Sequence, residues 1–352
     1  MDGDQAAHRG AFESVVSTDP GKNPHGCLVP DFRSRLLEWY DVHARDLPWR
    51  ERHGEKRHHG PYRVWVSEIM LQQTRVAAVI AHYHKFLRRF PTVQKLAAAR
   101  ETSVLAAWSG LGYYRRARML HAAAKAIARE LGGKFPESAA GWRELPGIGR
   151  YTAAAIASIT FDEPVAVVDG NVERVLQRVG GKRISGAQFW QSAEALLDRE
   201  RPGDFNQAMM ELGATVCTPR APACLTCPVA EWCATRGEMA IGPKAARQKK
   251  REIHYALDYR DGKVLLVQRP HDATLMAGMW ELPEIAPPAD HGKPAFTLRH
   301  SITVTDYTVR VWRQPSQYLV GKWVARSSLT KQALTGLARK ILRKEGMLAG
   351  SA

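Results

Sequence analysis

Four cysteines fall inside seventeen residues, spaced Cys217-x6-Cys224-x2-Cys227-x5-Cys233, and no other feature restricts the fold of this chain so tightly. Each short loop must return the backbone to one centre, where four thiolates can enclose a tetrahedral metal or a cubane cluster. Zinc ribbons set their cysteines as two close pairs across a longer excursion. Gaps of six, two and five residues contain no such excursion and favour a [4Fe-4S] cluster over zinc. The spacing also differs from the ferredoxin run, so nothing in it points to electron transfer as the main task. Disulfides are the plainer alternative. A chain of 352 residues has ample core without them, and its one further cysteine is Cys27.

Charge narrows the partner. Fifty-one Lys and Arg against thirty-five Asp and Glu give +16, which favours a polyanion such as nucleic acid. No apolar stretch approaches the length that crosses a bilayer, and the first residues, MDGDQAAHRG, lack a basic segment followed by an apolar one. A soluble, cytoplasmic protein with no membrane partner is expected, and an intact thiol cluster agrees with a reducing compartment.

Along the chain, residues 1–28 read as a flexible tail rich in Gly, Asp, Ser and Pro. Helical periodicity starts at 32–40 and recurs at 64–87, 103–131, 138–143, 151–161, 171–179, 187–200 and 204–214. Residues 29–240 are therefore expected to be all-α. The basic stretch 241–252 reads as a linker, and 253–345 as an α+β domain. In the latter, 254–259 and 264–268 about the Asp261-Gly262 turn suggest a hairpin. Residues 302–312 and 318–324 suggest further strands, and 329–343 a closing helix.

Two carboxylates stand in chemically suggestive places. Glu68 lies in Pro61-Tyr-Arg-Val-Trp-Val-Ser-Glu68-Ile-Met-Leu-Gln-Gln73-Thr, where helical offsets put Trp65, Ile69 and Gln72 near it; taken alone it would be a surface glutamate. Asp169 ends the apolar run Pro164-Val-Ala-Val-Val and begins Asp-Gly-Asn171. It can be a helix N-cap, part of a turn, or a partly desolvated carboxylate acting on a nearby cation. Between them, Leu145-Pro-Gly147-Ile-Gly149-Arg-Tyr151 sets two glycines ahead of a small-residue helix. Such a turn bares amide groups at a helix N-terminus, where a phosphate oxygen can bind without sequence readout; G-x-G turns also begin ordinary helices. Gly110-Leu-Gly-Tyr113-Tyr-Arg-Arg-Ala-Arg118 interleaves aromatics with three arginines, a composition suited to base stacking and phosphate neutralisation or simply to a solvated basic face.

Taken in order, these segments resemble the helix-hairpin-helix DNA glycosylases of the endonuclease III superfamily, and within it the MutY-type adenine DNA glycosylases. The resemblance rests also on Leu47-Pro-Trp-Arg50 and Phe205-Asn-Gln-Ala-Met-Met-Glu-Leu-Gly213. It implies an all-α glycosylase domain with an iron-sulfur cluster loop, followed by a Nudix-like α+β domain.

Superfamily members that also cut the strand carry a lysine where this chain has Tyr151. A phenol forms no Schiff base, so a monofunctional, water-using glycosylase is implied. By the same resemblance Glu68 is the general acid toward adenine and Asp169 stabilises the oxocarbenium-like sugar. Tyr151 and Asn171 support them, in a pairing that parallels glycoside hydrolysis. Gln73 and Tyr113 are the implied intercalators, Gly147 and Gly149 the phosphate-binding hairpin, and Arg220 a backbone contact on the cluster loop.

In the second domain Gly278-Met-Trp-Glu-Leu-Pro283 fits the resemblance, but no R-E-x-x-E-E box follows, so it should bind rather than hydrolyse. Ile302-Thr303-Val304 stands where many members have Phe-Ser-His, leaving Thr303 as the one hydroxyl offered to a lesion. The implied partner is double-stranded DNA carrying adenine opposite 8-oxoguanine or guanine, bound by a monomer. The alternatives are a thymine/uracil mismatch glycosylase and a non-catalytic iron-sulfur DNA-binding protein.

Overall fold

The computed structural model describes residues 28–50, 60–239, 249–270, 272–287, 293–302, 305–315 and 321–349. Cys27, Thr303, residues 1–27 of the expected tail and 241–248 of the expected linker lie outside them, whereas Leu28 opens the first helix and 249–252, expected as linker, open the first strand. Main-chain packing divides the chain into two compact units, each built from two segments: Met1–Gln73 with Ala126–Gly242, and Thr74–Lys125 with Pro243–Ala352. This partition differs from a linear division near residue 240 by placing 74–125 with the C-terminal strands.

The first unit is helical. It contains α1 (Leu28–His43), α2 (Pro61–Leu71), α7 (Ala139–Arg143), α8 (Arg150–Phe161), α9 (Gly170–Val179), α10 (Ala187–Leu196) and α11 (Pro202–Thr215). Proline at the first helical position starts α2 and α11, where its missing N–H has no intrahelical use. One core joins Phe32 and Leu36 of α1 to Val172, Val175 and Leu176 of α9 and Phe205, Met209 and Leu212 of α11. The small residues of α8 let neighbours reach its backbone: a Cβ on Gly203 would stand 2.5 Å from the Ser158 carbonyl oxygen. The expected helices at 138–143, 151–161, 171–179 and 204–214 are present, with shifts of a residue or two.

The second unit joins helices to two sheets. Its helices are α3 (Val76–Arg89), α4 (Val93–Ala97), α5 (Glu101–Trp108), most of α6 (Arg115–Glu130) and α12 (Gly336–Lys344). Its strands are β1 (Lys249–Ala256), β2 (Tyr259–Arg260), β3 (Lys263–Gln268), β4 (Trp280–Glu281), β5 (Glu284–Ile285), β6 (Phe296–Ile302), β7 (Thr305–Trp312) and β8 (Lys322–Ala325). One sheet runs β5-β1-β7-β6, with β1 parallel to β7 and β7 antiparallel to β6. In the other, β2, β4 and β8 all pair antiparallel with β3. The core between α12 and the strands includes Val264, Leu266, Val309, Val311, Leu337 and Ile341.

Four expectations are corrected. The single helix at 64–87 is two, separated where Gln73 takes a left-handed φ of 53°. The helix at 103–131 is likewise broken, at Gly110 and Gly112 with φ of 114° and 69°. The Asp261-Gly262 hairpin joins β2 to β3, whereas 254–256 belong to β1 in the other sheet. Finally, 329–343 is a 3-10 turn (Arg326–Lys331) followed by α12 after a break. Among the described residues no helix is long and apolar enough to cross a membrane.

Candidate active site

Helix α2 is apolar nearly all round, and Glu68 is the one acid in it, buried beside Trp65, Ile69 and Met70. Opposite stands α8, which begins after the turn at Gly147. That glycine needs its φ of 76°, whereas Gly149 caps the helix at φ −89°, an angle open to any residue. A Cβ there would meet nothing within 4 Å, so the turn presents open, unobstructed backbone in front of α8.

Tyr151, in the first turn of α8, donates its hydroxyl to Glu68 Oε2 at 2.8 Å and lies 3.4 Å from Met210 Sδ. Gln72 Nε2 donates to Thr152 Oγ1 at 3.1 Å, tying the end of α2 to the same turn. Burial raises the Glu68 carboxyl to about 7. The Tyr151 hydroxyl opposes that rise, the Asp169 charge adds to it and the Arg50 charge opposes it. The phenol itself is driven well above its ordinary value, chiefly by burial, and stays protonated.

Asp169 arrives on an extended stretch that Asn206 holds in place. Asn206 Oδ1 accepts from Val167 N at 3.0 Å, while its Nδ2 donates to the Val165 carbonyl at 2.9 Å and to Ser158 Oγ at 3.0 Å. Asp169 is the N-cap of α9: Oδ1 accepts from Asn171 N and Val172 N at 2.9 and 2.8 Å. Oδ2 accepts only one further bond among the described residues, from Asn171 Nδ2 at 3.0 Å. The capping role is thus real, and the same carboxylate is close enough to perturb both Glu68 and Tyr151.

Asn171 continues the network. Its Oδ1 accepts from Arg174 Nη2 at 2.9 Å, and Arg174 Nε donates to the Cys217 carbonyl at 2.8 Å. Gly213 makes room for it: a Cβ there would fall 2.6 Å from Asn171 Cβ.

The cysteine loop lies after α11, with 3-10 turns at Cys224–Thr226 and Ala230–Trp232. Cys217, Cys224, Cys227 and Cys233 are all free thiols and partly exposed. Two of them accept hydrogen bonds, Cys217 Sγ from Arg178 Nη1 at 3.3 Å and Cys233 Sγ from Arg236 N at 3.5 Å, while burial pushes the Cys227 thiol up to about 11. Among the described residues no three His, Cys, Asp or Glu side chains are gathered closely enough for one metal ion. Four thiol donors with no nitrogen or oxygen ligand among them are the donor set of a cubane cluster. These four residues would hold a [4Fe-4S] cluster, which when bound supplies a covalent framework pinning the loop.

Arg220, on this loop, is exposed. Gln73 is exposed just beyond α2. Tyr113 is 51% exposed in the loop before α6, at φ 46°. A left-handed angle is uncommon for either residue type. Thr303 lies outside the described residues; nearby in β6, Ser301 Oγ bonds Asp306 Oδ1 at 2.5 Å.

Sequence reasoning missed Glu211 as a site residue. It is 1% exposed on α11, accepts from Arg45 Nε at 2.6 Å and Nη2 at 2.9 Å, and accepts from Arg50 Nη2 at 3.0 Å. Those guanidinium groups hold its carboxyl below the usual range against the opposing effect of burial. Arg50 also lies over the Tyr40 ring, 5.4 Å from its centroid, and its charge reaches Glu68. The signal was there in Leu-Pro-Trp-Arg50 and Met-Glu-Leu-Gly213, which entered only as points of resemblance.

Residues 66–188 match the HhH-GPD superfamily of base excision DNA repair proteins, and 217–233 match the iron-sulfur binding domain of endonuclease III. The chain is 43% identical over 320 residues to an adenine DNA glycosylase of Mus musculus, covering 73% of this chain and 61% of that protein. It thus spans about three fifths of that relative's length. To the adenine DNA glycosylase of Mycobacterium tuberculosis it is 44% identical over 209 residues, 58% of this chain and 67% of the relative. The structure of a thermostable thymine-DNA glycosylase superposes with a TM-score of 0.54 at 28% identity, covering 59% of this chain and 96% of that one. With its iron-sulfur cysteines, its hairpin before α8 and these degrees of identity, the chain belongs to the adenine DNA glycosylase family.

Proposed function

We propose that this protein hydrolyses the N-glycosidic bond of adenine mispaired with 8-oxoguanine or guanine in double-stranded DNA, without cutting the strand. The observation that carries the reading is the buried Glu68 at a carboxyl value near 7, hydrogen-bonded to a phenol and flanked by Asp169. Adenine leaves poorly until protonated. A carboxylic acid that titrates near neutrality can give a proton to the ring and, once ionised, can orient or deprotonate water. Tyr151 occupies Oε2, leaving Oε1 to carry the proton. Asp169 faces the sugar as an anion and stabilises the positive charge that develops as the bond breaks, the division of labour seen with paired carboxylates in glycoside hydrolysis.

Tyr151 cannot form an imine with the sugar, so release stops at an abasic site. Gln73 and Tyr113 fill the space left by the extruded base, whose removal from the stack costs a few kcal/mol. The turn at Gly147 and Gly149 holds a backbone phosphate, and Arg220 adds a second contact. The C-terminal strands, read as Nudix-like, recognise the opposing base without hydrolysing pyrophosphate.

The likeness to a thymine-DNA glycosylase favours a second reading, removal of thymine opposite guanine. One single-turnover assay separates the two: duplexes with A opposite 8-oxoguanine, A opposite G and T opposite G, each analysed before and after alkaline cleavage of abasic sites. Adenine release with strand breakage only after alkali is expected. Thymine release alone, or breakage without alkali, would reject the proposal.

A further inference from the structure

Two buried hydroxyls flank the loop that presents Tyr113, and both donate to a single main-chain acceptor. Ser109 Oγ reaches the Leu334 carbonyl at 2.9 Å and the Tyr114 hydroxyl reaches it at 3.2 Å, while the two hydroxyl oxygens stand 3.4 Å apart. Ser109 and Tyr114 are 3% and 4% exposed. Packing alone would be served by Ala and Phe, which bury no polar oxygen.

The acceptor is itself held still. Trp280 N donates to the Ala333 carbonyl at 2.8 Å and Thr335 N to the Trp280 carbonyl at 2.9 Å, so 333–335 is laced to β4 on both sides of Leu334. One turn into α6, Arg118 donates to the Ala277 carbonyl, on the segment leading to β4, and pairs with Glu101 at 2.9 Å. Three side chains of 109–118 thus reach the C-terminal part of this unit through main-chain carbonyls. Between Ser109 and Tyr114 the loop turns through the positive φ of Gly110 and Gly112, and Tyr113 itself is held at a left-handed φ uncommon for its type. It is tied inside by Trp108 Nε1 to the Gly112 carbonyl at 3.2 Å.

We infer that Ser109 and Tyr114 are positioning residues for Tyr113, latching its loop to segment 333–335, so that the C-terminal part sets the aim of Tyr113 toward DNA. The inference rests on the reading of this chain as a glycosylase that inserts Tyr113 into the duplex. It adds that the C-terminal part supports binding to every mispair, through this loop, besides any contact with the opposing base.

The test combines two measurements on Ser109→Ala, Tyr114→Phe and their double variant. First, amide hydrogen exchange in the free full-length protein should rise at 109–114 and stay unchanged in α8 and α9; an unchanged loop overturns the inference whatever the protein does to DNA. Second, affinity for a duplex with A opposite G is measured in the native and Tyr113→Ala backgrounds. Each lost hydrogen bond should weaken binding roughly five-fold in the native background, and neither should matter once Tyr113 is gone. Equal weakening in both backgrounds would mean the hydroxyls are structural only, and overturns the inference. Failure of the native protein to release adenine from any duplex counts against the proposed function instead, and leaves the exchange result to decide the latch.

Discussion

Replacing Glu68 by Gln should make the protein inactive and more stable, with a stability gain that grows with pH. The side chain is 5% exposed, and its carboxyl is raised from 4.5 to about 7 in the folded protein, mainly by burial. A carboxyl whose folded value is raised costs nothing below the unfolded value, where both states are protonated. The cost appears as pH rises past 4.5 and is complete above about 7, where the folded state must bury a charge. Two and a half pH units at about 1.36 kcal/mol each give a penalty of about 3 kcal/mol at about pH 8, and about 1 kcal/mol at about pH 5.5.

Gln has the same shape and can still accept the Tyr151 hydroxyl bond through its amide oxygen, so little else changes. Urea unfolding followed by helical circular dichroism at the two pH values should therefore show the variant ahead by about 3 and about 1 kcal/mol. In single-turnover assays it should release no adenine, and the native rate should decline above about pH 7 as the acid form is lost. An advantage of equal size at both pH values would refute the reasoning, because it would show that Glu68 is not titrating between them.

Asp169→Asn keeps one cap acceptor but turns an NH2 toward Asn171 Nδ2, so it should cost about 1 kcal/mol in stability, while slowing single-turnover excision on the order of 100-fold through loss of charge stabilisation. Gly213→Ala places a methyl 2.6 Å from Asn171 Cβ and 3.0 Å from its carbonyl oxygen; it should cost about 1–3 kcal/mol in a urea melt and slow excision, because the displaced Asn171 holds Asp169 Oδ2. Cys224→Ser or Cys227→Ser should lower iron per chain and weaken affinity for undamaged duplex, with metal analysis and fluorescence anisotropy as the readouts. Full iron content in both variants would contradict the ligand set.

What the sequence disclosed was mostly local. The cysteine spacing, the hairpin glycines and the Asp169-Gly-Asn171 segment each act within a few residues, and their neighbours in sequence are their neighbours in space. The break at Gln73 was hidden because apolar periodicity runs on either side and glutamine is no helix breaker. The place of β1 was hidden because its partner β7 is parallel and more than fifty residues away, as Lys249 opposite Thr305 shows, while the nearby Asp-Gly turn gave a stronger local signal for a hairpin. Glu211 is legible as buried only once Arg45 and Arg50 are brought to it from more than 160 residues away. The tie between Tyr114 and Leu334 spans 220 residues.

Asp169 shows why a capping reading and a catalytic reading of one carboxylate need not compete. A catalytic anion works best when its orientation is fixed before the reaction, so that no reorganisation is spent in the transition state. Here α9 supplies that fixing: Oδ1 is saturated by two backbone N–H groups, and the side-chain amide of Asn171 holds Oδ2 from one side. Asn171 is in turn oriented by Arg174, which also grips the Gly213 and Cys217 carbonyls. The helix end therefore fixes Asp169 at both oxygens, as Tyr151 fixes one oxygen of Glu68. The two carboxylates sit in different surroundings: Glu68 lies in an apolar helix with a single hydroxyl donor, and burial raises its carboxyl to about 7, whereas Asp169 accepts from three N–H donors at a helix N-terminus. On the proposed reading, that difference in surroundings, more than either residue type, separates the role of Glu68 as proton donor from that of Asp169 as a fixed partner of the sugar.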